Sequence, residues 1–205
     1  MNYFLSSLIA FLLGSIPTAY IIVKKFLNLD ITKAGSGNVG TLNSYEVSNS
    51  KLIGLSVLLI DFTKGWLSIF LVKFFFGNNF FYIALAFFFS VFAHCFSPWL
   101  KFKGGRGLAT AAGAASIFIP VVLFLWIGFW LILKYLKKDI HFANVFATLL
   151  IIIVSFAIPE FVNKYSFPKA ETNLLLSFTI SLTMIIVLIK HWEPIKDYYK
   201  HKIGI

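Results

Sequence analysis

Charged residues are scarce in this chain, and cysteine is almost absent. Only 13% of the 205 residues are charged, whereas soluble domains carry about a quarter. This excludes a soluble globular fold, and the 59% hydrophobic content indicates a protein that crosses the membrane several times. Cys95 is the single cysteine, which excludes an intrachain disulfide and any metal site built from several cysteines.

Long polar stretches are missing as well. No polar segment is long enough for a separate soluble domain, so we expect one membrane domain over residues 1–205. No basic residue precedes the first apolar run, 3–23, and Lys24 and Lys25 come only after it. We therefore expect no cleavable signal peptide.

Acidic residues are few, with 8 Asp and Glu against 18 Lys and Arg, so the formal net charge is +10. In a membrane protein, basic loop residues set the topology and contact anionic lipid headgroups. We therefore expect membrane lipids as partners and no nucleic acid.

The apolar residues fall into segments that are long enough to form membrane helices, which need roughly 20 residues each. These segments are 3–23, 52–76, 80–100, 107–133, 142–159 and 171–190. The fourth is longer than one crossing requires, and it contains Pro120. A proline at this position kinks or breaks a helix.

The distribution of lysine decides how the fourth segment folds. If it bends at Pro120 into short helices over 108–119 and 120–136, every lysine cluster lies on the cytoplasmic side, as the positive-inside rule requires. We therefore predict an all-α protein of seven helices with the N-terminus outside and the C-terminus inside. Helices 4 and 5 are short and do not cross fully.

The first polar loop, 30–43, reads DITKAGSGNVGTLN and faces the cytoplasm in this topology. Glycines let backbone N–H groups converge on an anion, and hydroxyl and amide side chains add donors. The spacing matches neither a Walker motif nor a dinucleotide fingerprint, and a plain flexible turn stays an alternative. The candidate ligands for a phosphate group are Gly35, Ser36, Gly37, Asn38 and Asn43.

The second polar loop contains the single arginine of the chain, Arg106, in the stretch FKGGRG. Two cations, bare backbone amides and the start of a helix together form a cradle for phosphate. Arginine binds phosphate through two hydrogen bonds, whereas lysine acts as a point charge. The alternative is an anchor at the membrane interface. The candidate phosphate ligands beside Arg106 are Lys103, Gly104, Gly105 and Gly107.

Further polar residues accompany these loops. Asp61 and Lys64 are three positions apart and share one helix face inside the second apolar segment, where a structural pair that orders the loops is the favoured role. His94 precedes the second loop. His191 and Glu193 follow the last apolar segment, where they could bind a substrate or simply end an interfacial helix.

The chain contains no recognisable serine–histidine–acid triad, metal-ligand cluster or HxxxxD acyltransferase box. We therefore expect no metal and no cofactor. The residues offer anion binding without an obvious general base.

Five stretches, in order along most of the chain, resemble the acyl-phosphate:glycerol-3-phosphate acyltransferase family of bacteria (PlsY). They are GSIPTAY (14–20), GSGNVGTLN (35–43), LIDFTKG (59–65), AHCFSPWLKFKGGRGLAT (93–110) and IKHWEPI (189–195).

The resemblance implies an inner-membrane enzyme of seven helices whose site faces the cytoplasm. Such an enzyme moves an acyl group from acyl phosphate to the sn-1 hydroxyl of glycerol 3-phosphate, which is the first step of phospholipid synthesis. Its products are lysophosphatidic acid and phosphate. The family is thought to use no protein base, because the substrate's own phosphate takes the proton.

By position, the resemblance implies that Ser36, Arg106 and His191 are catalytic. The glycines, the asparagines and Lys103 would bind phosphate, while Asp61, Lys64, His94 and Glu193 would support the site.

Two positions depart from the family's motifs. Glu46 stands where the family usually has an arginine that fits glycerol 3-phosphate, and Pro194 stands where it has an asparagine. The alternatives are therefore a diverged, non-catalytic phospho-ligand binder or transporter on the same scaffold, or an acyltransferase with a different phosphorylated acceptor.

Overall fold

The computed structural model of the chain describes residues 1–203, without the side chains of 197, 198 and 200–203. All regular elements within this range are helical, which confirms the predicted all-α fold. The α-helices are α1 (Asn2–Ser15), α2 (Thr18–Leu27), α3 (Thr41–Ser48), α4 (Lys51–Phe76), α5 (Phe80–Cys95), α6 (Leu108–Phe118), α7 (Pro120–Lys137), α8 (Ile140–Ala157), α9 (Pro159–Lys164), α10 (Asn173–Lys190) and α11 (Trp192–Ile203). Two short 3-10 turns, Ile31–Lys33 and Pro98–Leu100, lie in the loops.

Six helical segments of the described range are long and apolar enough to cross a membrane, which makes this a multi-span integral membrane protein. Pro120–Lys137 is one of them, whereas Leu108–Phe118 is shorter. The number of helices that cross fully and the orientation of the termini stay predictions.

The chain divides into two compact units, Met1–Ile117 and Phe118–Ile205. The first contains both polar loops, and the second contains His191. The prediction of a single membrane domain stays a prediction.

The first apolar run does not form the single helix that the sequence analysis assumed. It breaks at Ile16 and Pro17 into α1 and α2, because proline lacks the N–H that a continuous helix requires. The break leaves backbone carbonyls near Ser15 without their usual helical partners, and other residues of the first unit bond to them.

Helices α4, α5 and α6 position the two loops in the first unit. A Cβ on Gly65 of α4 would overlap the backbone of Thr110, and a Cβ on Gly113 of α6 would overlap the backbone of Phe62. The two glycines therefore let α4 and α6 approach at backbone distance, as small residues do between membrane helices. This contact fixes the start of α6 beside α4.

The predicted break at Pro120 is confirmed, since α6 ends at Phe118 and α7 starts at Pro120. In the second unit the carbonyl of Phe118 accepts a hydrogen bond of 2.8 Å from the N–H of Phe167. Helix α8 packs against both α7 and α10. Its first turn is capped by Asp139, whose carboxylate accepts a hydrogen bond of 2.7 Å from the N–H of Phe142.

Candidate functional site

Asn43 organises the first polar loop from the inside. Its side chain is buried, with 1% exposure. Its amide nitrogen donates to the carbonyls of Asn38 at 2.9 Å and Ala34 at 3.1 Å, and its Oδ1 accepts from the N–H of Ser36 at 2.9 Å. Both ends of the amide thus hold the loop in shape, and the role of Asn43 as a phosphate ligand stays a prediction.

Ser36 and Asn38 occupy the outer side of the same loop. Ser36 is exposed and Asn38 is half-buried, so both side chains are accessible to a ligand. A Cβ on Gly40 would lie 2.9 Å from Nδ2 of Asn38, which places that amide at the start of α3. Gly35 and Gly37 have φ values of 57° and 69°, a region that favours glycine. The loop, for which a plain flexible turn was the alternative, thus has a specific backbone conformation that leads into α3.

The second loop uses two of its glycine amides to bind the end of α5. The N–H of Gly104 donates to the carbonyl of Cys95 at 3.2 Å, and the N–H of Gly105 donates to the carbonyl of His94 at 3.1 Å. In this structure both amides donate to backbone carbonyls, and their role as phosphate ligands stays a prediction. They shape the loop, because it folds back onto the helix that precedes it.

Gly105 also joins the two loops. A Cβ at this position would overlap Nε2 of His94 and would lie 2.7 Å from the carbonyl oxygen of Val39. Only a residue without a side chain allows the second loop to lie this close to the first. The structure thus brings together the two stretches that the sequence analysis assigned to one site.

Arg106 follows this contact and is half-buried, whereas Lys103 is exposed. Burial lowers the pKa of Arg106 below its usual value, while the negative charge of Glu46 acts in the opposite direction. Arginine remains protonated in proteins despite such shifts. The carboxylate of Glu46, on α3, therefore acts electrostatically on the only guanidinium of the chain.

Two helices begin where the loops end. Helix α3 starts after Gly40, and no side chain caps its first turn. Helix α6 starts after Gly107, which has a φ of 89°. The first turn of a helix has N–H groups without intrahelical partners and a partial positive charge. With Arg106 and Lys103, these turns give this end of the first unit a positive potential.

A buried polar network of helix side chains lies next to the loops in the first unit. Nζ of Lys64 lies 2.8 Å from Oδ1 of Asp61 and donates a hydrogen bond of 2.9 Å to the carbonyl of Ile16, at the proline break. The same Asp61 oxygen lies 3.7 Å from Nδ1 of His94, whose Nε2 faces Gly105. The network connects the break in the first apolar segment to the point where the loops meet.

A second connection to this break was not predicted from the sequence. The hydroxyl of Ser97 donates to the carbonyl of Ser15 at 2.7 Å, and the indole of Trp99 donates to the hydroxyl of Ser15 at 2.9 Å. Pro17 is the signal that could have revealed it, since a broken helix leaves carbonyls that need donors. Ser97 and Trp99 tie the start of the second loop to the end of α1.

A narrow cleft separates this network from the loops. It is lined in part by Lys64, His94, Gly105 and Val39, and its free volume is about 10 Å³. That is the room that about one water molecule needs.

His191 and Glu193 lie in the second unit. His191 is buried, with 1% exposure, and its ring contacts Asn144 and the backbone of Val187. Glu193 forms an exposed pair of 3.3 Å with Lys196, a kind of contact that contributes little to stability. Pro194 lies in the first turn of α11, where proline is tolerated.

Comparisons with known proteins give a consistent result. A family model described as glycerol-3-phosphate acyltransferase matches residues 4–201. The chain is 35% identical to a glycerol-3-phosphate acyltransferase of Helicobacter acinonychis (strain Sheeba), an alignment that covers 90% of this chain and 86% of that protein. It is 33% identical to one of Streptococcus pyogenes serotype M5 (strain Manfredo), over 98% of this chain and 92% of that protein.

Solved structures agree with these sequence relatives. The chain is similar to PlsY (YgiH), an integral membrane glycerol 3-phosphate acyltransferase, in its glycerol 3-phosphate form. The TM-score is 0.80 at 26% identity, over 98% of this chain and 94% of that one. The lysophosphatidic acid form gives a TM-score of 0.77 at the same identity.

Proposed function

Because the chain belongs to the glycerol-3-phosphate acyltransferase family, we propose that it acylates the sn-1 hydroxyl of glycerol 3-phosphate. The proposed donor is acyl phosphate, and the products are lysophosphatidic acid and inorganic phosphate. The proposed location is the bacterial inner membrane, with the site on the cytoplasmic side, where the positive-inside rule puts the basic loops.

The reaction forms one ester bond and breaks one acyl–phosphate bond. The hydroxyl oxygen of glycerol 3-phosphate attacks the acyl carbon, negative charge develops on the carbonyl oxygen, and phosphate leaves with the bonding electrons. The hydroxyl proton ends on a phosphate oxygen. Since acyl phosphate is already activated, the protein needs to orient two anions and stabilise charge rather than supply a strong base.

In this proposal Arg106 and Lys103 neutralise the phosphate of the donor as it leaves. Arg106 has the planar donor arrangement that matches a phosphate, and partial burial strengthens its electrostatic interactions. Lys103 is exposed and adds a mobile charge at the mouth of the site. The N-terminal turn of α6, after Gly107, adds N–H donors and a partial positive charge.

Ser36 and Asn38 are the proposed contacts for glycerol 3-phosphate, together with the start of α3. Both side chains are accessible, and the loop that carries them is fixed by Asn43. Ser36 is assigned a catalytic role as a hydrogen-bond partner of the attacking hydroxyl. The role of His191 rests on its motif alone, and Glu193 is assigned a supporting role.

The observation that carries the proposal is the contact of Gly105 with Val39 and His94. It supports a single site for two phosphate groups, because it brings a cationic loop against a loop of hydroxyl and amide groups. A reaction between a phosphate ester and an acyl phosphate requires such a pair of anion sites side by side.

The test is a direct assay on the purified protein in detergent or vesicles. Acyl phosphate and radiolabelled glycerol 3-phosphate are expected to give labelled lysophosphatidic acid, whereas acyl-CoA or acyl carrier protein as donor should give none. Transfer from acyl-CoA alone would overturn the donor assignment, and no transfer from any donor would overturn the enzyme assignment.

One observation favours a second candidate, an acyltransferase with another phosphorylated acceptor or a phospho-ligand binder without activity. Glu46 acts on Arg106, and a carboxylate near a phosphate site weakens the binding of a doubly charged phosphate ester. Competition by a panel of phosphate monoesters in the same assay separates these candidates from the first.

A further inference from the structure

A directed chain of hydrogen bonds crosses the second unit and ends at His191. The indole Nε1 of Trp130, on α7, donates to Oδ1 of Asn144, on α8, at 2.7 Å. Nδ2 of Asn144 lies 3.5 Å from Nε2 of His191. Nδ1 of His191 lies 2.8 Å from the carbonyl oxygen of Val187.

The chemistry of the two ends fixes the direction of this chain. An indole N–H can only donate, so the side-chain oxygen of Asn144 faces Trp130 and its NH₂ group faces His191. A backbone carbonyl can only accept, so Nδ1 of His191 must carry a proton. Nε2 lies 3.5 Å from the NH₂ group of Asn144, a position from which it can accept from that amide when it carries no proton.

A second series of hydrogen bonds starts one helical turn earlier on α7 and does not reach the imidazole of His191. Nε1 of Trp126 donates to the hydroxyl of Thr148 at 3.1 Å, and this hydroxyl donates to the backbone carbonyl of Asn144 at 2.7 Å. Trp126 stacks on Trp130 with a centroid distance of 6.3 Å. Trp126 is therefore a matched control, because it is a neighbouring indole on the same helix that does not donate to the side chain of Asn144.

We propose that Trp130 and Asn144 are positioning residues that hold the buried imidazole of His191 as its neutral tautomer, with the proton on Nδ1. His191 thereby presents Nε2 as an acceptor, and its orientation is set by α7 and α8 rather than by α10 alone. The expected effect on turnover rests on the proposed function. The tautomer of His191 and the hydrogen bonds that hold it do not depend on that function.

The direct test is two-bond ¹H–¹⁵N NMR on ¹⁵N-histidine-labelled protein in detergent micelles at neutral pH. The chain has 4 histidines, and His191→Gln assigns the relevant signal. The wild type is expected to show one protonated Nδ1 and one unprotonated Nε2. A wild-type ring with its proton on Nε2, or with both nitrogens protonated, would overturn the inference.

Asn144→Asp is the most informative variant, because the side chain keeps its shape while the NH₂ group that faces His191 is replaced by an oxygen that accepts. A carboxylate has no N–H to donate, so Nε2 of His191 is expected to take up a proton and the ring to become an imidazolium. Trp126→Phe should leave the wild-type pattern intact. An Asn144→Asp protein with the wild-type pattern would show that the amide does not control the ring.

Steady-state kinetics test whether these hydrogen bonds affect the reaction. Trp130→Phe and Asn144→Leu are expected to lower kcat about three- to tenfold with little change in KM, the range that a lost neutral hydrogen bond produces. Trp126→Phe should stay within about twofold of the wild type. Equal losses in all three variants would indicate a purely structural role and contradict the positioning assignment. An inactive wild type would refute the proposed function instead, and the NMR result would still decide the tautomer.

Discussion

Gly105 packs so closely on His94 that a single methyl group at the glycine would overlap Nε2 of the imidazole. The same methyl group would lie 2.7 Å from the carbonyl of Val39, in the other loop. Both neighbours are held in place, His94 by its position in α5 and Val39 by a loop that Asn43 fixes. A substitution at Gly105 must therefore push the two loops apart.

We expect Gly105→Ala to lower kcat/KM at least about 100-fold, the effect of a displacement of about 1 Å in a reacting group. Gly128→Ala is the control. Gly128 has open space around its Cβ position and lies in α7, where alanine should stabilise the helix by about 0.5–1 kcal/mol. Turnover in a lysophosphatidic acid assay and thermal unfolding separate the two effects, and a fully active Gly105→Ala protein would contradict the loop contact.

Arg106 should contribute through charge and through geometry. Arg106→Ala is expected to lower kcat about 100- to 1000-fold, as the loss of one donor to developing charge does elsewhere. Arg106→Lys keeps the charge but loses the two-point contact, so it should retain an intermediate rate. Lys101→Ala, an exposed cation of the same loop, serves as the control, and equal losses at both positions would argue for a general electrostatic effect.

The buried pair of Lys64 and Asp61 should be strongly coupled. Lys64→Met leaves the carboxylate of Asp61 buried without its cation, and such a loss destabilises a protein by about 3–5 kcal/mol. The double variant Asp61→Leu, Lys64→Met should be closer to the wild type in stability. Lys73→Met, on the same helix but half-exposed, is the control for a lost lysine. Additive effects in thermal unfolding would show that the two residues act independently.

Glu46 should weaken the binding of glycerol 3-phosphate. Glu46→Gln removes the negative charge that acts on Arg106, so KM for glycerol 3-phosphate is expected to fall about two- to tenfold at low ionic strength. The change should shrink as salt is added, because exposed charges are screened. Glu160→Gln, in the other unit, should leave KM unchanged. An increase of KM in Glu46→Gln would instead assign Glu46 a positive role in binding.

Local chemistry was enough to predict several features. Proline geometry predicted the break at Pro120, and the spacing of three residues predicted the pairing of Asp61 with Lys64. Glycines mixed with hydroxyl and amide side chains marked the first loop, and glycines beside two cations marked the second. These predictions depend on residues that are close along the chain, where covalent geometry limits the alternatives.

The features that were missed depend on contacts between distant segments. Gly104 and Gly105 were read as amide donors, because only the folded loop shows that His94 and Cys95 already accept from them. The hydrogen bond from Ser97 to Ser15 joins residues more than 80 positions apart, and Asn144, which contacts His191, lies on another helix. Pro17 indicates a break in the helix from local sequence alone. Only the folded structure shows that Lys64 and Ser97 donate hydrogen bonds to the carbonyls at this break.

The central claim is that both loops form one site on one side of the membrane. The most direct measurement is labelling of single cysteines at Ser36 and Lys103, in a Cys95→Ala background, with a membrane-impermeant thiol reagent on vesicles of known orientation. Both positions should react from the cytoplasmic side only, and glycerol 3-phosphate should slow both reactions. Labelling of the two positions from opposite sides would contradict the account.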